Sequence, residues 1–217
     1  MLFTEFLTLV PYIKKVVLNA EESHMKMMPK ERLPFLNIDK TKLFNYKEAG
    51  VLLLVYKKNN QAHLVFIERT NYGGVHSAQI AFPGGKKENI DNNLLETALR
   101  ETFEEIGVSI KSIVTIKEMS KVYIPPSNFL VSPYLAFSNT PINFILQKDE
   151  VQSIIEISLD EILNDKNKHY SIMNTSYANN IEVPVFQFNK FKIWGATAMM
   201  LSQFKDILTE SIKAKEF

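Results

Sequence analysis

Two rhythms of apolar residues divide the chain. From Leu2 to Leu18 they recur at helical spacing (Phe3, Phe6, Leu7, Val10, Ile13, Val17), with Pro11 as a kink or break, which predicts a helix packed on the remainder. Residues Glu21 to Asp39 are polar and carry prolines, so a connecting loop is expected there. From Ala49 the pattern changes to strands. Gly50 to Tyr56 and His63 to Arg69 are apolar runs split by Lys57-Lys-Asn-Asn60, the signature of a hairpin. Strands are also expected at Gln79 to Phe82, Ile113 to Met119, Lys121 to Ile124, Phe129 to Phe137 and Ile154 to Ile157, with Pro125-Pro126 as an extended break. Leu159 to Leu163 reads as a short helix capped by Ser158. Tyr170 to Met173 and Val183 to Phe188 read as a late hairpin across Asn174 to Asn180. The last segment, Gly195 to Lys213, is an amphipathic helix with Ala198, Leu201, Phe204, Ile207 and Leu208 on one side. That order of elements gives a mixed sheet between helices.

Between the strands lies the stretch that carries the chemistry, Phe82 to Gly107. It begins with Gly84-Gly85, where backbone lies open to close approach by a ligand. Asp91, Asn92 or Asn93 then caps a helix, and Gly107 stands where the chain must turn left-handed at its end. Leu94, Leu95, Ala98, Leu99, Thr102, Phe103 and Ile106 fall on one half of the helical wheel; Arg100, Glu101, Glu104 and Glu105 share the rest. The three glutamates have the i, i+3, i+4 spacing that stacks side chains. In a cleft with effective ε near 20, two such charges about 5 Å apart repel by roughly 3 kcal/mol. A divalent cation reverses the sign of that term, because hard cations select carboxylate oxygens. A solvated helix face is the plain alternative for this string.

Loop and helix together resemble the Nudix box. The match runs Gly85, five residues, Asp91, eight residues, then Arg100-Glu-Thr-Phe-Glu-Glu-Ile-Gly-Val108. It departs by one inserted residue, by Asp91 in place of Glu, and by Thr102 in place of an aliphatic residue. Upstream, Arg69-Thr-Asn-Tyr-Gly-Gly-Val-His76-Ser-Ala-Gln79-Ile-Ala-Phe-Pro-Gly-Gly85 is similar to the extra motif of the coenzyme A pyrophosphatase branch, which shares the insertion. Ala78 and Gln79 stand where that motif has Gly and Glu. His24 to Arg32, Ile124 to Val131 and Ile193 to Ala198 are further local matches. The resemblance implies a Nudix-type α/β/α sandwich with a mixed sheet plus N-terminal and C-terminal helices. It divides the chain into an extension over residues 1–40 and a hydrolase domain over 41–217.

The same resemblance implies roles. Glu101, Glu104 and Glu105, with a backbone carbonyl of Gly84, become ligands for Mg²⁺ or Mn²⁺. Arg100 either orients a neighbouring glutamate by an ion pair, the favoured reading, or touches phosphate. The general base is Glu105, Glu104 or the downstream Glu150, with Asp149 and Glu156 as weaker options. Arg69, His76 and Gln79 become substrate contacts. Tyr123, Ser127 and Asn128 are read as structural. His24 and Met25, Met27 and Met28 are read as loop packing. Lys26 and Arg32 are read as water-exposed, with a phosphate contact as the alternative. The expected reaction is hydrolysis of coenzyme A or its derivatives to 3′,5′-ADP and a 4′-phosphopantetheine product. Alternatives are ADP-ribose, dinucleoside polyphosphates or nucleotide sugars as substrates, or an inactive nucleotide-binding regulatory module.

Composition adds exclusions. The chain has 217 residues, 46% hydrophobic and 23% charged, ordinary for one globular core with an appendage. A net charge of +1 offers no general field for nucleic acid. The absence of cysteine excludes disulfides, thiolate zinc sites and a cysteine nucleophile. The apolar run Val51 to Tyr56 is too short to cross a bilayer, and the N-terminus lacks the basic start of a secretion signal. A small-molecule nucleotide is thus the expected partner and the cytoplasm the expected location; a homodimer is left open.

Overall fold

A computed structural model describes residues 1–17, 19–35, 45–70, 79–173 and 180–216, and in 33–35 the backbone alone. The expected hairpin is its centre: β1 (Lys47–Lys58) and β2 (Gln61–Arg69) pair antiparallel across Asn59-Asn60, both at positive φ, as a two-residue hairpin turn requires. β7 (Phe129–Ser138) lies on the other side of β1 and runs parallel to it, from Lys47 opposite Phe129 to Val55 opposite Phe137. β5 (Ile113–Glu118) continues the sheet beyond β7, and β3 (Ile80–Ala81) pairs with the end of β2. Three more strands attach: β4 (Gly84–Lys86) to β1, β6 (Val122–Ile124) to β7 and β8 (Val151–Ser158) to β2. The Pro125-Pro126 break is a 3-10 turn over Pro125–Ser127.

The run Val51 to Tyr56 is continuous because β1 is covered on both faces. Leu53 and Val55 join a core with Phe3, Phe6, Leu201 and Phe204, whereas Leu52, Leu54 and Tyr56 join a second with Ile106 and Val108. The first layer holds α1 (Phe3–Lys15) and α5 (Gly195–Glu216); the second holds α3 (Leu94–Ile106). All five residues expected on the buried side of α5 are buried. In α1 the buried set is Phe3, Phe6, Leu9 and Ile13, with Pro11 inside the helix. Leu7 and Val17, expected inward, are exposed, Val17 at 92%. The helix stops at Lys15, and Leu9 rather than Leu7 carries the stripe down to Ile13.

The expected loop after α1 is partly helical. Asn19 accepts from the Glu21 N–H to cap α2 (Ala20–Met25), and a 3-10 turn spans Lys30–Phe35. Met27 and Met28 are buried here as expected of packing residues, while Met25 is exposed. Ser158 caps α4 (Leu159–Leu163) by a reciprocal bond with Glu161. The late hairpin gains a third member. β9 (Lys168–Met173), β10 (Ile181–Phe188) and β11 (Phe191–Trp194) form a separate sheet, and β11 leads directly into α5.

Candidate active site

β4 separates two environments. On one side stands α3, capped by Asn93, whose side chain accepts from the Glu96 N–H, and ended by Gly107 in the left-handed conformation. Of the half-wheel predicted to be buried, Phe103 is 53% exposed; Thr97 and Glu105 are inside instead. Close approach rests on two glycines. A Cβ on Gly50 would lie 2.1 Å from the Leu94 carbonyl oxygen, and one on Gly85 would lie 2.4 Å from the Glu101 carboxyl carbon. Only hydrogen at Gly50 lets the backbone of α3 press on β1, while at Gly85 it lets the Glu101 carboxylate rest on the β4 backbone without moving aside.

Asp91 is a clamp rather than the cap. Its carboxylate accepts from Arg100 Nε and Nη2, both at 2.9 Å, from Thr97 Oγ1 at 3.0 Å and from the Glu88 N–H at 2.9 Å. The bidentate guanidinium holds the Asp91 carboxyl well below the usual range, and Asp91 in turn holds Arg100 charged. Arg100 also donates to Glu101 at 3.0 Å, Glu104 at 2.8 Å and the Lys86 carbonyl at 3.3 Å. This is the expected ion pair, extended to three carboxylates.

Glu105 is 1% exposed. One oxygen accepts from the Gly84 N–H at 2.8 Å and the other from Arg69 Nη1 at 3.1 Å. Burial pushes its carboxyl up to about 8, opposed by the Gly84 N–H and the Arg69 charge and assisted by Glu101 and Glu150. Burial also raises Glu101, with Arg100 opposing and Glu104 and Glu150 assisting. Glu150 is exposed, and its carbonyl accepts from the Thr70 N–H at 3.0 Å. Its charge acts on Glu101 and Glu105, so the fold brings it to the same side. Glu156 is engaged elsewhere, by Tyr56 and Lys58.

Beyond β4 opens a cavity of about 340 Å³. Gly84, Gly85 and Lys86 form its rim; Val51, Phe82, Phe129, Val131, Trp194 and Met200 make most of its wall apolar. Arg69 and Gln79 reach it from the ends of β2 and β3, and Arg69 N–H donates to the Gln79 carbonyl at 3.1 Å. His76 lies outside the described residues. Arg32, expected in water, is buried; it donates to the Tyr123 carbonyl, contacts Met199 Sδ at 3.4 Å and lines the cavity. Its Pro-containing neighbourhood read as loop and gave no sign of burial. Lys26 is paired with Asp206 instead. Tyr123 and Asn128 bond to each other at 3.0 Å, in keeping with a structural role.

The donor chemistry fits a hard divalent cation: three carboxylates and a glycine strand whose missing side chain leaves Glu101 against open backbone. In this structure each carboxylate faces a guanidinium, and among the described residues no three acidic or histidine side chains are gathered to hold an ion.

The sequence profile described as the NUDIX domain matches residues 47–175, more than half of the chain. The chain is 29% identical over 163 residues to the peroxisomal coenzyme A diphosphatase ndx-8 of Caenorhabditis elegans, covering 74% of this chain and 68% of the relative. It is 29% identical over 159 residues to the mitochondrial coenzyme A diphosphatase NUDT8 of Mus musculus, covering 70% and 73%. Among solved structures, a Nudix hydrolase from M. smegmatis, RenU, shares the fold with a TM-score of 0.52 at 11% identity, over 76% of this chain and 87% of that one.

Proposed function

The chain belongs to the NUDIX family, hydrolases of diphosphate linkages that generally use divalent metals, and we propose that its substrate is coenzyme A or a coenzyme A derivative. The observation that carries this reading is the meeting, across β4, of the acid-bearing helix with a largely apolar cavity that is edged by Arg32, Arg69 and Lys86. Such a cavity suits a ligand with large neutral parts and several phosphates. The naming of two relatives as coenzyme A diphosphatases supports the same substrate.

In this reading Glu101, Glu104 and Glu105, with the Gly84 carbonyl, hold Mg²⁺ or Mn²⁺. When bound, the cation neutralises phosphate oxygens and lowers the proton affinity of a water. Arg100, fixed by Asp91, sets the directions of Glu101 and Glu104. Glu150, Glu104 or Glu105 accepts the proton of the attacking water. Its oxygen bonds to one phosphorus while the anhydride oxygen leaves with the other, giving 3′,5′-ADP and 4′-phosphopantetheine. Arg69, Gln79 and His76 contact the substrate.

Ala78 and Gln79, where the coenzyme A motif has Gly and Glu, favour a second reading: ADP-ribose, a dinucleoside polyphosphate or a nucleotide sugar. A panel of these diphosphates beside coenzyme A, with Mg²⁺, Mn²⁺ or a chelator, separates the two. Cleavage of coenzyme A that stops with chelator is the expected result; cleavage of ADP-ribose alone removes coenzyme A as substrate. The double variant Glu104→Gln, Glu105→Gln should lower kcat on the order of 10³-fold, several kcal/mol of lost transition-state stabilisation, while circular dichroism still reports a folded chain.

A further inference from the structure

The two arginines that face the acids are held differently. Arg100 is gripped by both Asp91 oxygens and donates to a backbone carbonyl as well, so its guanidinium is tied in place independently of the three glutamates. Arg69 has no such anchor among the described residues: Glu105 is the partner of its side chain, through one nitrogen at 3.1 Å. Its backbone sits at the register shift between Glu68 and Arg69, where β2 meets β8, and such bulges re-aim a side chain. The side chain is 24% exposed, against 1% for Glu105, and lines the cavity. It therefore spans the boundary between a buried acid and the place where a substrate would lie.

We propose that Arg69 exchanges partners: its guanidinium neutralises Glu105 until a divalent cation takes over that carboxylate, and it then turns to the substrate's diphosphate in the cavity. The inference rests on the metal-dependent reading above and assigns Arg69 a task beyond contact. In its ionised form a buried carboxylate is stabilised by a counter-charge. Arg69 supplies it without a cation, and the cation relieves Arg69 of it. Cation and guanidinium compete for Glu105, whereas cation and diphosphate cooperate through the released Arg69. By linkage the coupling acts in both directions.

The test measures two affinities on the full chain. Mn²⁺ binding without nucleotide is followed by electron paramagnetic resonance of free Mn²⁺. Binding of α,β-methylene-ADP, a diphosphate that resists hydrolysis, is followed by calorimetry in saturating Mn²⁺. Arg69→Gln should bind Mn²⁺ about tenfold more tightly and the analogue about tenfold more weakly, couplings of ordinary size. Arg69→Lys, which keeps the charge on a shorter reach, should fall between wild type and Arg69→Gln in both. A mere substrate contact would weaken the analogue and leave Mn²⁺ unchanged; a merely structural residue would weaken both and lower the melting temperature. Either result overturns the exchange. Failure of the wild type to bind Mn²⁺ would overturn the metal-dependent reading itself, and is seen before any variant is made.

Discussion

The acid side of β4 and the cavity side are built in opposite ways. Asp91, Thr97, Arg100, Glu101 and Glu104 are close neighbours in the chain, joined by one helix and its entry turn. The cavity is walled by residues scattered from Arg32 to Met200, and Arg32, Trp194 and Met200 lie outside the stretch matched by the NUDIX profile. A local arrangement needs only a helix to form; a scattered one needs the whole fold. In the function proposed above, the metal chemistry would reside in the local part and discrimination among diphosphates in the assembled part.

The sharpest way to break this contrast is to remove the clamp. Asp91→Ala leaves the Arg100 guanidinium, 15% exposed, without its bidentate partner. Thermal unfolding should report a loss of about 3 kcal/mol, the lower end for breaking a buried pair. The Asp91 carboxyl is depressed in the fold, so its contribution is complete above the ordinary carboxyl value of 3.8 and fades as pH falls through the lower folded value. The gap between wild type and variant should accordingly be full at pH 7 and narrow below pH 3.8. A smaller effect is expected across β4. Arg32→Met keeps the buried stem but removes the charge, and should raise KM for the diphosphate about tenfold, or 1.4 kcal/mol, while kcat changes less. An equal fall in kcat would mean that the two sides are not separable. The smallest effect is expected at Phe103, on the solvent side of α3, where Phe103→Ser should change stability by no more than about 0.5 kcal/mol.

The same division explains what could be read in advance. Strand runs, the Asn59-Asn60 hairpin, the Ser158 cap and the buried stripe of α5 follow from local periodicity, and the structure has them. The acid helix was legible at its end, which Gly107 marks, and at its start to within the three candidates Asp91, Asn92 and Asn93, of which Asn93 is the cap. Its faces were not. A hydrophobicity wheel sends Phe103 inward and Glu105 outward, but the groups that receive Glu105, the Gly84 N–H and Arg69, belong to other elements. Leu9 displaced Leu7 in α1 for a related reason: both fit a helical period, and contact with α5 and the sheet chooses between them. Arg32 gave no local signal, since its neighbours Tyr123 and Met199 are distant in the chain. Gly50 looked like the start of a strand; the Leu94 carbonyl above it is what requires glycine.

The parallel pairing of β1 with β7 carries a consequence for biogenesis. Lys47 to Val55 cannot acquire its parallel neighbour until Phe129 to Phe137 has been synthesised, with the glycine strand and the acid helix lying in the excursion between them. Closing so long a loop is slow relative to forming the hairpin or either helix. A ribosome-bound chain that has emerged only as far as Gly107 would hold every candidate metal ligand yet lack the strand that completes the sheet behind them.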